Sequence, residues 1–234
     1  MSNSPLASMG LISPNRTSPR NHAIDRISVH CYVGQVTVER ALTGFGKPEK
    51  KASCNYVIGK DGKIGICVDE GDRSWCTSSA DNDNRAVTIE VASDNTDPYA
   101  VTDEAFAALL DLCEDICRRN GKTKLIWLGD KTKTLAYNPA PGEMVMTVHR
   151  WFANKACPGQ YLFDRHGEIA AEVTRRLADH SETGVPASDW AAESTKKAKR
   201  AGVFQGDGNG NYRWHDPITR EELAVVLDRL GLLG

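Results

Sequence analysis

The sequence predicts a mixed α/β domain followed by a small helical domain, and three observations carry that reading. Short apolar strand-like runs alternate with amphipathic helical stretches as far as residue 177. A Ser, Thr, Gly and Pro stretch over residues 181–188 then breaks the pattern. Beyond it only helical periodicity returns. The expected organisation is a first domain over 1–180 with its core in 24–177, a linker over 181–188, and a second domain over 189–234.

Residues 1–22 carry Ser, Pro and Asn without periodicity and read as an irregular lead-in that drapes over the domain. Ile24 to His30 is the first strand, and Gln35 to Leu42 a short helix. Cys54 to Ile58 and Lys63 to Val68 flank Gly59-Lys60-Asp61-Gly62, whose Asp-Gly pair signals a hairpin. Ala86 to Ala92 is a further strand, in which Glu90 interrupts an apolar run. A carboxylate in a buried strand is costly unless something pairs with it. Thr102 caps a helix with an acidic first turn, Gly121 ends it, and Phe106, Leu109, Leu110, Cys113, Ile116 and Cys117 make its apolar stripe. Met144 to Val148 reads as an extended approach to His149, and Asp164 to Leu177 as a second amphipathic helix. In the tail, Trp190 to Ala201 is helical, Asp207-Gly208-Asn209-Gly210 is a glycine-rich loop, and Thr219 caps a last helix.

The gross numbers exclude several classes. A chain of 234 residues with 40% apolar content suits a globular protein, and a formal net charge of -2 gives no bias toward nucleic acid or anionic membrane. No segment approaches the ~18 apolar residues that a membrane span needs. The N-terminus lacks the basic start and apolar core of a secretory signal. The expectation is a protein made in the cytoplasm that reaches the outside only after lysis or unconventional release. Without export, the seven irregularly spaced cysteines do not read as a disulfide framework, and Cys113 and Cys117 read as buried apolar thiols.

The most informative stretch is His149-Arg150-Trp151-Phe152-Ala153-Asn154-Lys155-Ala156-Cys157-Pro158-Gly159. Imidazole and thiolate are preferred zinc ligands, and a catalytic zinc takes three protein ligands and keeps one position open. His30, at the tip of Ile27-Ser28-Val29-His30, is the best third ligand. Lys155 stands two residues before the thiol, where an ammonium can stabilise negative charge. The chemistry these residues point to is metal-assisted hydrolysis. Taken alone, His30 reads as a hydrogen-bonded structural residue and Lys155 as a solvated one; the combination with His149, Cys157 and Glu90 changes that. His22, His166, His180 and His215 lack such context and read as surface residues.

Five segments in order, Ile27 to His30, Asn55 to Gly62, Arg73-Ser74-Trp75, Val87 to Glu90 and His149 to Gly159, resemble the zinc-dependent N-acetylmuramoyl-L-alanine amidases of the phage lysin and peptidoglycan recognition protein superfamily. The resemblance covers residues 24–177. It implies a central mixed β-sheet flanked by helices, with a zinc ion held in a groove by His30, His149 and Cys157. It also implies Glu90 as general base and Lys155 as oxyanion stabiliser. One branch uses a tyrosine where this chain has Cys54, so that role is not carried over. Cys76 stands where many relatives have histidine. Trp75 and Tyr56 are candidate groove residues; Trp75 reads equally as core, and Tyr56 reads more as strand packing.

The tail, from Asp189 to Leu230, resembles one S-layer homology repeat through Trp190-Ala191, Ala201 to Gly206 and Ile218 to Ala224. That resemblance implies a helical unit binding a secondary cell-wall polymer through Thr219 and Arg220, with self-association where only one copy is present. The implied partner of the first domain is bacterial peptidoglycan, and the implied role is a phage or prophage endolysin released by a holin. Two rivals remain: a peptidoglycan receptor without hydrolysis, and a cysteine peptidase using Cys157 as nucleophile and His149 as base.

Overall fold

A computed structural model describes residues 2–179, 187–206 and 211–233, in two compact units, Met1–Leu177 and Ala178–Gly234. His180, most of the expected linker and the 207–210 loop lie outside the described residues. The first unit contains β1 (Met9–Gly10), β2 (Arg16–Thr17), β3 (Arg26–Val33), α1 (Val38–Phe45), β4 (Tyr56–Ile58), β5 (Ile64–Ile66), β6 (Arg73–Ser74) and α2 (Ala80–Arg85). It continues with β7 (Ala86–Ser93), α3 (Asp103–Arg119), β8 (Lys124–Ile126), α4 (Lys131–Ala136), β9 (Glu143–Thr147) and α5 (Gly159–Asp179).

Seven strands form one mixed sheet in the order β1-β5-β4-β7-β3-β9-β8, and β2 pairs with β6 beside it. All neighbours in the large sheet run parallel except the β4–β5 hairpin. β3 and β7 are paired along their whole length, so that Ile27 faces Val87, Ser28 faces Thr88 and His30 faces Glu90. Side chains alternate across a strand. Ile27, Val29 and Cys31 with Val87, Ile89 and Val91 therefore join the core beneath α3 and α5, where Leu109, Leu112, Ile116, Ile169 and Val173 are fully buried. Ser28, His30, Thr88 and Glu90 fall on the opposite face. A smaller core under α1 joins Val38, Leu42 and Phe45 to Cys54, Val57 and Cys67 beside this polar face.

The lead-in is more ordered than its composition suggests. β1 extends the sheet edge and β2 pairs with β6, but two-residue strands leave no periodicity to read. Arg20 is buried and donates to the carbonyls of Glu70, Asp72, Asn84 and Ala86. It ties the lead-in to the segments on either side of α2. α3 begins where Thr102 caps it, with the Thr102 side chain accepting from the Ala105 N–H at 3.1 Å. α5 starts before Asp164, at Gly159, directly after Pro158. Cys113 and Cys117 are fully buried free thiols in the core.

His166 corrects the surface reading. It is fully buried on the α5 stripe of Leu162, Ile169, Ala170 and Val173, its Nδ1 lies 2.6 Å from the Leu162 carbonyl, and its ring sits 4.6 Å from Trp127. Burial pushes its pKa from 6.5 down to about 4. The folded protein then keeps His166 neutral where the unfolded chain protonates it. The resulting stability is complete above about pH 6.5 and is lost as the pH falls to about 4, a change of about 3 kcal/mol. We predict that His166→Phe flattens this acid limb, measured as urea midpoints between pH 4 and 7; an unchanged limb would assign the loss to other groups.

The second unit holds a one-turn 3₁₀ segment (Asp189–Ala191), α6 (Ala192–Arg200) and α7 (Arg220–Arg229). Thr219 and Glu222 form a reciprocal capping box at the start of α7. Trp214 stacks on Tyr212 at 5.0 Å and meets Phe204 edge-on, and Lys199 lies over the Tyr212 ring. A cavity of about 590 Å³ opens beside these rings, lined also by Ile218, Val226 and Arg229.

Candidate metal centre

Three elements deliver three side chains to one point. β3 supplies His30, a 3₁₀ turn directly after β9 supplies His149, and the loop before α5 supplies Cys157. The nitrogen and sulfur donor atoms of all three lie within 4.8 Å of one another. Cys157 Sγ is 3.2 Å from His30 Nδ1, and the two imidazole centroids are 5.2 Å apart. Zinc bonds of about 2.0 Å to nitrogen and 2.3 Å to sulfur would set tetrahedral donors roughly 3.5 Å apart. The donor set fits a single zinc ion.

The far nitrogens are held. Ser28 Oγ donates to the Thr147 carbonyl at 3.2 Å and lies 3.2 Å from His30 Nε2. With its proton committed, the hydroxyl accepts from Nε2–H, which leaves the His30 Nδ1 lone pair facing the thiol. Ser78 Oγ stands 3.1 Å from His149 Nε2. Such outer partners fix the tautomer and ring orientation of histidine ligands. Burial lowers the proton affinity of both rings; nearby His149 adds to this at His30, and Lys155 does so at His149. Both imidazoles are therefore in the neutral form that binds metal.

The loop between His149 and Cys157 is braced from within. Arg150 N–H donates to the Cys157 carbonyl at 3.1 Å, and its guanidinium donates to the Ala156 carbonyl at 2.7 Å while lying over the Phe163 ring. Trp151 stacks flat on Trp127 at 5.1 Å. Gly159 has a φ of +80°, and a Cβ there would stand 2.7 Å from Tyr99 Cβ. Only glycine closes the turn behind the thiol at that distance.

Glu90 stands beside the trio, across from His30 in the strand register. Its donor atom also clusters with those of His30 and Cys76 within 4.8 Å. Oε1 has only the Cys76 thiol at 3.9 Å, and Oε2 is buried with no hydrogen-bond partner among the described residues. Burial, and then the nearby Cys31, push its pKa up to about 8. A half-buried carboxyl with a buried, unpartnered oxygen beside a metal-ligand cluster is a candidate functional group. Lys155 is exposed on the ligand loop, close enough to His149 to disfavour that ring's proton.

The remaining candidates fall elsewhere. Tyr56 is fully buried, with its hydroxyl donating to Glu70 at 2.5 Å and accepting from the Ser4 N–H. The groove assignment for Tyr56 is therefore withdrawn: it faces the α3 core, opposite His30 and Glu90. Trp75 is 36% exposed, with its indole N–H donating to Thr17, and it precedes the Cys76 that touches Glu90. In the second unit Thr219 is engaged in its cap and Arg220 is exposed; neither lines the cavity there. Sequence reasoning missed Ser28, Ser78 and Arg150. Ser28 had a readable signal, since it sits two residues before His30 on the same strand face.

The fold is that of peptidoglycan amidases. It matches the structure of PlyL with a TM-score of 0.52 at 12% identity, covering 70% of this chain and 95% of that one. Also similar is the endolysin N-acetylmuramoyl-L-alanine amidase LysCS from Clostridium intestinale URNW, at 17% identity and a TM-score of 0.47, over 74% of this chain and 98% of that one. No curated protein matches the sequence. The N-acetylmuramoyl-L-alanine amidase family model matches residues 20–160, and the chain belongs to that family. The S-layer homology domain model matches residues 185–224 of the tail.

Proposed function

We propose that this chain is a zinc-dependent hydrolase that cuts the amide between the lactyl group of N-acetylmuramic acid and the L-alanine of the stem peptide. The observation that carries the reading is the convergence of His30, His149 and Cys157 donors within 4.8 Å, with the orphaned Glu90 carboxylate beside them. Zinc would supply Lewis acidity and lower the pKa of a bound water from ~15.7 to about 7. Glu90 takes the proton of the attacking water and passes it to the leaving amine. Lys155 offers its ammonium to the oxyanion that forms on the scissile carbonyl. Ser28 and Ser78 keep the two imidazoles in the binding tautomer, and Arg150 holds the loop that carries two of the three ligands.

A Cys157 nucleophile also finds an imidazole in reach, at His30 3.2 Å away rather than at the His149 expected from the sequence. Chelation separates the two readings. Lysis of purified walls should stop with a chelator and return with added zinc; lysis that survives complete metal removal would favour the thiol nucleophile.

The same reading makes the protein an endolysin, reaching the wall after holin-type release and held there by its S-layer homology unit. Among the described residues no helix is long and apolar enough to cross a membrane. The sheet, its core and all three candidate ligands belong to the first unit. Deleting everything after Gly184 should therefore leave activity on small soluble muropeptides within a few-fold of the full chain, while binding to intact cells weakens. Cell sedimentation with both forms measures this, and equal binding would remove the targeting role from the tail.

A further inference from the structure

The short segment between β6 and α2 touches the site at two points. Ser78 Oγ lies 3.1 Å from His149 Nε2, and the Cys76 thiol lies 3.9 Å from Glu90 Oε1. Ser78 is exposed, so packing does not hold it, and yet its φ is +64°. A serine in the left-handed region persists only where its surroundings impose it. The two residues before it are gripped by Asp83, which is 2% exposed. One Asp83 oxygen accepts from the Cys76 N–H at 3.0 Å. The other accepts from the Thr77 N–H at 3.1 Å and from the Thr77 hydroxyl at 2.6 Å. α2, which carries Asp83, is itself fixed to the sheet. Arg26 donates to the side-chain carbonyl of Asn82 at 3.0 Å, and Arg26 stands four residues before His30 on the same face of β3. An unbroken set of bonds thus runs from the strand of His30, through α2 and Asp83, to the hydroxyl on His149.

We propose that Asp83 is a positioning residue for the metal centre, acting through Ser78 on the His149 ring. This rests on the ligand role given to His149 above. Asp83 touches none of the three candidate ligands; it sets the backbone that aims the Ser78 hydroxyl at the far nitrogen of His149. The chemistry of the grip calls for a carboxylate. Both of its oxygens receive donors from the loop, so an asparagine must turn its NH₂ group against one of them. A buried N–H would then lose its partner, and the loop would have to move to recover one. Because the loop ends on His149, that movement is felt as poorer alignment of a metal ligand. Cys76 carries the same displacement toward Glu90.

The test is a double-mutant cycle on the full-length protein: wild type, Asp83→Asn, Ser78→Ala and the two combined. Zinc affinity is measured by competition with a chromophoric chelator, and ligand geometry by the d–d absorption of the cobalt-substituted forms. Each single variant should bind zinc about 10–100-fold more weakly, the usual effect of losing an outer partner of a ligand. The double variant should be no weaker than the weaker single, within about threefold, because both changes break one contact. The cobalt bands of Asp83→Asn should match those of Ser78→Ala and differ from the wild type. If Asp83→Asn does not fold, Thr77→Val replaces it in the cycle, since it removes only the 2.6 Å bond; its smaller loss should again vanish once Ser78 is alanine. Losses that multiply in the double variant would overturn the proposal, as would a folded Asp83→Asn that holds zinc like the wild type. A loss in Asp83→Asn with none in Ser78→Ala would also remove the route through Ser78. Wild type that takes up no cobalt refutes the ligand role of His149, whereas normal uptake with an unaffected Asp83→Asn refutes only the role of Asp83.

Discussion

Cys157→Ala should abolish stoichiometric zinc binding while leaving the fold intact. The thiol is one of three donors within 4.8 Å, and alanine leaves two imidazoles that cannot close a tetrahedral site. Losing a mere outer-shell partner lowers metal affinity by about 10–100-fold; losing a ligand should exceed the upper end of that range. The loss in stability should stay near 1 kcal/mol, because Cys157 is only partly buried and Arg150 binds the loop through backbone carbonyls that the substitution keeps. Competition with a chromophoric chelator measures the affinity, and circular dichroism the fold. Zinc held as tightly as in the wild type would remove Cys157 from the site.

The second large effect concerns Glu90. Glu90→Gln should keep zinc but lower wall lysis by about 10²–10⁴-fold, the usual worth of a positioned acid–base group. Lys155→Ala should also keep zinc and lose most activity. In the metal-free protein the Glu90 carboxyl sits at about 8 rather than 4.5, so the folded state holds a proton that the unfolded chain has released. Its contribution to stability is fully present below about pH 4.5 and is lost as the pH rises to about 8. The Gln variant should lack that decline, measured by urea unfolding of apoprotein from pH 5 to 9. Zinc lost on Glu90→Gln would make the carboxylate a ligand; lysis within a few-fold of wild type would remove it from the reaction.

Much of the candidate centre is legible in the sequence, for physical reasons. A lone carboxylate in the run Ala86 to Ala92 has to be explained by its surroundings, and the β3–β7 register sets it opposite His30. The Thr102 cap, the Gly62 hairpin and the α3 stripe each follow from local rules that packing did not override. What escaped was long-range or short. β1 and β2 are two-residue strands fixed by partners more than fifty residues away. α2, β8 and α4 are too brief to show a period. His166 could have been read as buried, because it lies four residues after Leu162 and three before Ile169 on the α5 stripe. Tyr56 was ambiguous for a different reason: β4 is buried on both faces, so alternation carried no sign of which face held the site.

The bond that is cut tests the central claim most directly. Purified peptidoglycan is digested with zinc-loaded full-length protein, and the soluble products are resolved by mass spectrometry. The account predicts free stem peptides beginning with L-alanine and glycan strands whose N-acetylmuramic acid carries an unsubstituted lactyl carboxylate, with neither product formed after chelation. Products with stem peptides still joined to muramic acid, cut instead within the peptide or between sugars, would contradict it.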